Sequence, residues 1–230
     1  MAELEGTALN SHNSLLSRKR CCIFAGEKLN RVFTILSYRT MKKLMTTMLL
    51  MLLCMTALAQ SADKLYAEGK ALYDAKNYKA AIAKLKPAAE KGNRKAQYRM
   101  GRCYDKGNGV EENDKTAFAW YSKSAAQGYA KAQYQVGKCY KNGEGVAKNP
   151  AKAFEFFTKA AKQDNGDAQL ALGKCYMKGK GVAADQAKAR SWFVKAVNNE
   201  KDGKEILAEL KKEAAENDGD AKKILQMVKK

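Results

Sequence analysis

The chain has 230 residues, with 43 Lys and Arg against 24 Asp and Glu and a single histidine, giving a formal net charge of +19. That histidine, His12, lies within the first 40 residues, so histidine-based acid–base catalysis and histidine metal sites are excluded beyond them. No zinc-finger spacing, RNA-binding aromatic motif or isolated basic block accompanies the charge, so a nucleic-acid partner is not expected.

From residue 41 the sequence reads MKKLMTTMLLMLLCMTALAQ. Two lysines precede an apolar run over residues 44–55, and Ala57-Leu58-Ala59 stands before Gln60. This pattern predicts a secretory signal peptide over residues 41–59, cut after Ala59. The run is shorter than the ~20 residues of a bilayer-spanning helix. An uncleaved signal-anchor is the alternative. A lipoprotein site at Cys54 is disfavoured because Leu53 occupies the position of a small residue. Signal peptides begin at the initiator, so residues 1–40, with His12 and the pair Cys21-Cys22, read as an over-extended, disordered N-terminus. The expected address is exported, periplasmic or secreted. From Gln60 onward the net charge is +14.

Residues 62–92 read as a first helix pair, with helices over 62–75 and 78–91 and a turn at Lys76-Asn77. Pro87 is expected to kink the second helix near its last turn. Three near-copies follow, over 93–128, 129–164 and 165–200. Their period is 36, which aligns Ala96, Ala132 and Ala168, then Gly101, Gly137 and Gly173, then Cys103, Cys139 and Cys175, then Tyr104, Tyr140 and Tyr176. A fixed period of this length with matched Gly, Ala and aromatic positions predicts a stack of supersecondary units. In each copy a first helix ends at Gly107, Gly143 or Gly179, a natural left-handed cap. Val110, Val146 or Val182 turns back as an apolar plug. Asn113, Asn149 or Asp185 then caps the second helix, and Pro150 suits a first helical position. The second helices carry Trp120-Tyr121, Phe156-Phe157 and Trp192-Phe193, expected to point inward. Asp164 and Glu200 stand where Gly92 and Gly128 close earlier helices. Residues 201–230 read as polar capping helices, with Ile206, Leu207 and Leu210 inward.

Several motifs invite a chemical reading. The Gly-x-Gly-Val turns follow helices rather than strands and lack a GK[ST] ending, so they read as turn chemistry, not phosphate loops. Cys103, Cys139 and Cys175 are odd in number and fall at equivalent places in stacked helix pairs. Such places lie roughly 15–20 Å apart at ordinary helix-packing distances, beyond the ~7 Å Cα limit of a disulfide. Buried free thiols are expected, and no CxxC supports a metal. Ser61-Ala62-Asp63-Lys64 matches the S-x-x-K of penicillin-recognising enzymes, but no SDN or KTG follows, so it reads as coincidence.

The pattern A-x-x-x-(L/M/V)-G-x-x-Y-x-x-G-x-G-V, followed by (N/D)-x-x-K-A-x-x-(W/F)-(Y/F)-x-K-(A/S)-A, resembles the Sel-one-like repeat family, relatives of the tetratricopeptide repeat. Departures are Thr116, Val197 and the lost glycines at 164 and 200. The resemblance implies an all-α, right-handed α-solenoid of stacked antiparallel helix pairs. It also implies a non-enzymatic adaptor without cofactor or metal, in bacteria often in envelope or host-facing settings. In this family the first helices line the concave face. Their polar positions not needed for stacking are Arg99, Arg102, Gln135, Lys138, Lys141, Lys174 and Lys178, the candidate partner-binding residues. They suggest a basic ladder for an acidic peptide or protein segment. Two rivals stand beside this: an envelope-attached module held on anionic wall or membrane polymers by charge, and a wall-active or β-lactam-reactive enzyme resting on Ser61 alone.

Overall fold

The computed structural model describes residues 41–49 and 61–229. Two compact units divide the chain, Met1–Ala57 and Leu58–Lys230. In the first, residues 41–49 are helical, and Met41, Leu44, Met45, Met48 and Leu49 are exposed. The cleavage site expected after Ala59 and the over-extended segment 1–40 lie outside the described residues. Among the described residues no helix is long and apolar enough to cross a membrane.

The second unit is an α-solenoid. Helix α1 covers residues 61–74. It is followed by α2 (Tyr78–Glu90), α3 (Arg94–Lys106), α4 (Asp114–Ala126), α5 (Ala130–Asn142), α6 (Pro150–Ala161), α7 (Gly166–Lys178), α8 (Gln186–Val197), α9 (Gly203–Ala215) and α10 (Gly219–Lys229). The closest pairings are α3 with α4, α5 with α6 and α7 with α8. Each pair then meets the next through α2–α3, α4–α5 and α6–α7. At the end, α9 and α10 pack on each other and on α8. Pro87 sits inside α2, whose helical span continues past it to Glu90.

The repeated glycines serve two different contacts. Gly101, Gly137 and Gly173 lie beneath the rings of Tyr121, Phe157 and Phe193, twenty residues later in each copy. A Cβ at Gly101, Gly137 or Gly173 would meet the ring at 2.5, 2.6 or 2.5 Å. The glycine therefore lets an aromatic ring lie directly on a helix backbone. The second glycine of each turn joins neighbouring units instead. Gly145 takes φ +66 and its Cβ would lie 2.2 Å from the Asp114 carbonyl oxygen; Gly181 takes φ +78 and would meet the Pro150 oxygen at 2.1 Å. Each turn thus seats on the first residue of the preceding unit's second helix, which is why glycine is required there.

The caps follow the expected register. Asn113, Asn149 and Asp185 accept from the backbone N–H of Thr116, Lys152 and Lys188. Pro150 stands at the start of α6. Val110, Val146 and Val182 pack against successive core clusters. Asp164 adopts φ 55, the left-handed conformation that Gly92 and Gly128 take at equivalent positions. Glu200 does not; three residues on, Gly203 makes a close approach of its own, where a Cβ would lie 2.4 Å from the Val197 oxygen. The expectation that both aromatics of each second helix face inward is corrected. Tyr121, Phe157 and Phe193 are fully buried, whereas Trp120, Phe156 and Trp192 are half-buried. Consecutive helical residues diverge by about 100°, so only one enters its own pair, while Trp120, Phe156 and Trp192 pack against the core cluster of the preceding unit. The outer aromatic is covered by the lysine three residues on, at 4.5 Å for Lys123 over Trp120 and for Lys195 over Trp192.

Candidate functional site

Three of the seven candidate residues occupy one repeat position. Arg102, Lys138 and Lys174 are each the ninth residue of α3, α5 and α7. All three are half-buried at the base. Among the described residues, none has a carboxylate within ion-pair distance. Lys141 lies one turn beyond Lys138. Burial first, then the positive charges of Lys138 and Lys174, depress its pKa below the usual lysine range.

The remaining candidates are placed differently. Arg99 pairs with Asp74 at 3.5 Å, and its guanidinium lies 4.9 Å from the centre of the Tyr73 ring. Lys178 pairs with Asp220 on α10. Both ends of the expected ladder are thus engaged within the chain. Gln135 hydrogen-bonds at the Tyr98 hydroxyl, which the charges of Arg102 and Arg99 also reach.

One turn before the cationic row lies an apolar one that sequence reasoning passed over. Tyr98, Tyr134 and Leu170 are the fifth residues of α3, α5 and α7 and are half-buried. Tyr98 packs on Tyr121 and Tyr134 on Phe157, with ring centres 5.8 Å apart in both cases. Lys138 Nζ lies 6.0 Å from the Tyr134 ring centre, so the two rows touch. Tyr129 extends the aromatic surface. It stands at the N-cap of α5 with no side-chain cap bond, whereas Asn93 and Asn165, 36 residues either side, cap α3 and α7. Its ring instead meets Tyr98 edge-on at 5.4 Å. Toward α9 the surface turns acidic. Burial, then Asp202, Glu209 and Glu205, push the Asp167 carboxyl above the usual range, opposed by Lys138.

Other features are structural. Gln97, Gln133 and Gln169 are buried at equivalent positions. Gln127 donates to Gln97, Gln163 to Gln133 and Asn199 to Gln169, at 2.8, 2.7 and 3.2 Å. The recurring Ala-Gln pair signalled this link in the sequence. The Cys103, Cys139 and Cys175 thiols are buried, and burial pushes them up to about 11, 12 and 11. Ser61 Oγ accepts from Lys91 Nζ at 3.0 Å. Among the described residues no group of three His, Cys, Asp or Glu side chains is placed to hold a metal. A depression of about 650 Å³ beside Trp192, Lys195 and Asn199 shares no residue with either row.

The architecture now has named relatives. A family model for the Sel1 repeat matches residues 94–129, 130–165 and 166–200. These residues belong to the Sel1 repeat family. Their helix pairs resemble the crystal structure of a Sel1 repeat protein from Oxalobacter formigenes, at 36% identity and a TM-score of 0.57 over 60% of this chain and 56% of that one. They also resemble c5321, a protective antigen of uropathogenic Escherichia coli strains displaying an SLR fold. That match has 30% identity and a TM-score of 0.59, over 64% of this chain and 33% of that one. The chain therefore spans about half and one third of the lengths of these two proteins. A search of curated proteins returned no match. Sel1 repeats generally mediate protein–protein interaction and typically form non-catalytic scaffolds.

Proposed function

We propose that this Sel1-repeat chain is an exported, non-enzymatic adaptor of the bacterial cell envelope that holds an acidic protein segment on its first-helix face. The observation that carries this reading is the row Arg102, Lys138 and Lys174: one cation per repeat, at one helical position, none with a carboxylate within ion-pair distance among the described residues, although Arg102 lies over the Tyr73 ring and Lys138 over the Tyr134 ring. Cations at a regular repeat spacing meet carboxylates along a partner and set its register. The signal peptide read at residues 41–59 supplies the address.

Crosslinking with mass spectrometry in intact cells tests the proposal. Photo-crosslinkers beside Lys138 and Lys174 should join a small set of proteins through acidic segments, and Arg102→Glu with Lys138→Glu should abolish those links while leaving the helical circular dichroism unchanged. Unchanged links in the double variant would overturn the reading. The net charge of +14 beyond residue 59 supports a second reading, retention on anionic wall or membrane polymers. That binding would collapse between about 50 mM and 500 mM salt without selectivity among partners, since screening shortens the reach of exposed charges.

A further inference from the structure

The second helices of the three repeats turn a face of their own to solvent. Along α4, α6 and α8 the exposed positions hold seven cations and two carboxylates, Asp114 and Glu155. Asp114 is the first residue of α4, so among the described residues Glu155 alone stands within the body of this face. The lysines recur in two rows. Lys123, Lys159 and Lys195 are each the tenth residue of α4, α6 and α8. Lys152 and Lys188 are the third residues of α6 and α8, and α4 carries Lys115 at its second. Seven residues are two helical turns, about 10 Å along the axis, so both rows lie on one side of each helix.

Five of these lysines rest on aromatic rings. Lys123, Lys159 and Lys195 lie 4.5, 5.1 and 4.5 Å from the ring centres of Trp120, Phe156 and Trp192. Lys152 and Lys188 lie 5.3 and 5.7 Å from those of Tyr140 and Tyr176. The rings themselves are packed against the core clusters. They are fixed seats for the ammonium groups, held by attraction to the ring face, and not contacts for a partner. Lys159 pairs with Glu155 at 2.6 Å and Lys188 with Asp185 at 3.2 Å. Among the described residues, Lys115, Lys123, Lys152 and Lys195 have no carboxylate within ion-pair distance. Ala119 and Ser191 fill the exposed positions between the rows on α4 and α8, so the lysine heads set the outer level of the face there.

We infer that this second-helix face docks on an anionic phospholipid surface. The inference rests on the second reading above, retention by charge, and names the face and the surface it meets. Cations spread both along each helix and across three helices match charge distributed over an area, as lipid headgroups are, rather than charge strung along one thread. Lysine suits the contact because its stem lies on the ring while its head reaches outward to phosphate. Each cation at an anionic leaflet contributes about fivefold in affinity.

Vesicle co-sedimentation of the full chain tests the inference at about 100 mM salt, where charges still act over about 10 Å. The vesicles are pure phosphatidylcholine, or phosphatidylcholine with one-third phosphatidylglycerol; polyphosphate serves as a soluble polyanion. The expected result is at least tenfold tighter binding to the phosphatidylglycerol vesicles, any binding common to both being the work of the apolar run over residues 44–55. Lys123→Gln with Lys159→Gln and Lys195→Gln should remove at least tenfold of that gain. The same loss of three charges elsewhere, Lys95→Gln with Lys131→Gln and Lys211→Gln, should change it less than threefold. Equal losses in the two triple variants overturn the assignment to this face and leave retention by charge intact. Equal binding to both vesicles, with polyphosphate bound, overturns the lipid surface and leaves a soluble polymer as the partner. Equal binding to both vesicles without polyphosphate binding overturns the inference and the second reading together. The vesicle comparison on the unaltered chain stands even where a triple variant fails to fold.

Discussion

Tyr121 carries a hydroxyl that its counterparts lack. The side chain is 1% exposed, and its oxygen is buried with no hydrogen-bond partner. Burial, reinforced by Asp105, holds its pKa far above the ordinary tyrosine range. The same site in the next two repeats holds Phe157 and Phe193, 1% and 0% exposed, on the same glycine contact. Burying an unpaired hydroxyl costs about 1–3 kcal/mol. Replacing it by hydrogen leaves a gap of one oxygen, which takes back a few tenths of a kcal/mol at about 24 cal/mol per Å³ of cavity. Tyr121→Phe should therefore stabilise the protein by about 1 kcal/mol, a rise in Tm of roughly 2–4 °C for a unit of this size. Phe157→Tyr should show the reverse, a loss of about 1–3 kcal/mol. Urea unfolding followed by far-UV circular dichroism measures both. A lower midpoint for Tyr121→Phe, or no change for Phe157→Tyr, would refute the claim that the hydroxyl is unpaired and costly.

Two further outcomes follow from the packing. Gly137→Ala places a Cβ 2.6 Å from the Phe157 ring. Overpacking costs of about 1–3 kcal/mol exceed the ~1 kcal/mol that alanine gains in helix propensity. The variant should lose stability, and Phe157→Leu in the same chain should recover part of that loss, giving a coupling that a double-mutant cycle in urea reads directly. Cys103, Cys139 and Cys175 should resist iodoacetamide at pH 8 in the folded protein, because burial keeps them as thiols well above that pH, and should label fully in guanidinium. Peptide mapping by mass spectrometry resolves each site, and labelling of the native protein at Cys139 would contradict the burial described.

The period of 36 made the solenoid, the caps and the turn glycines legible, because each recurs at a fixed place. Two kinds of feature did not show. The first is which ring fills the room that Gly101, Gly137 and Gly173 leave between the two helices of a pair; the small residues read as close-crossing positions, but Tyr121, Phe157 and Phe193 are singled out only by the geometry. Between Trp120 and Tyr121, likewise, only the helix direction decides which ring enters the core. The second concerns the ends. Arg99 and Lys178 looked available because the repeats offer them no partner. Asp74 and Asp220 lie in the first and last pairs, outside the repeating register, and they engage both cations. Of the ladder read from sequence, Arg102, Lys138 and Lys174 share one helical position without an ion pair among the described residues, and the Tyr98, Tyr134 and Leu170 positions beside them emerged only when helix positions were superposed.

Gly145 against the Asp114 carbonyl, and Gly181 against that of Pro150, bears on how such a chain changes length. Every turn is keyed to the unit before it, so inserting one residue between keys would unseat the turn it displaced. Adding or deleting a whole block of 36 residues presents each remaining turn with the same docking surface it had before. Descendants of this gene should therefore grow and shrink in whole repeats.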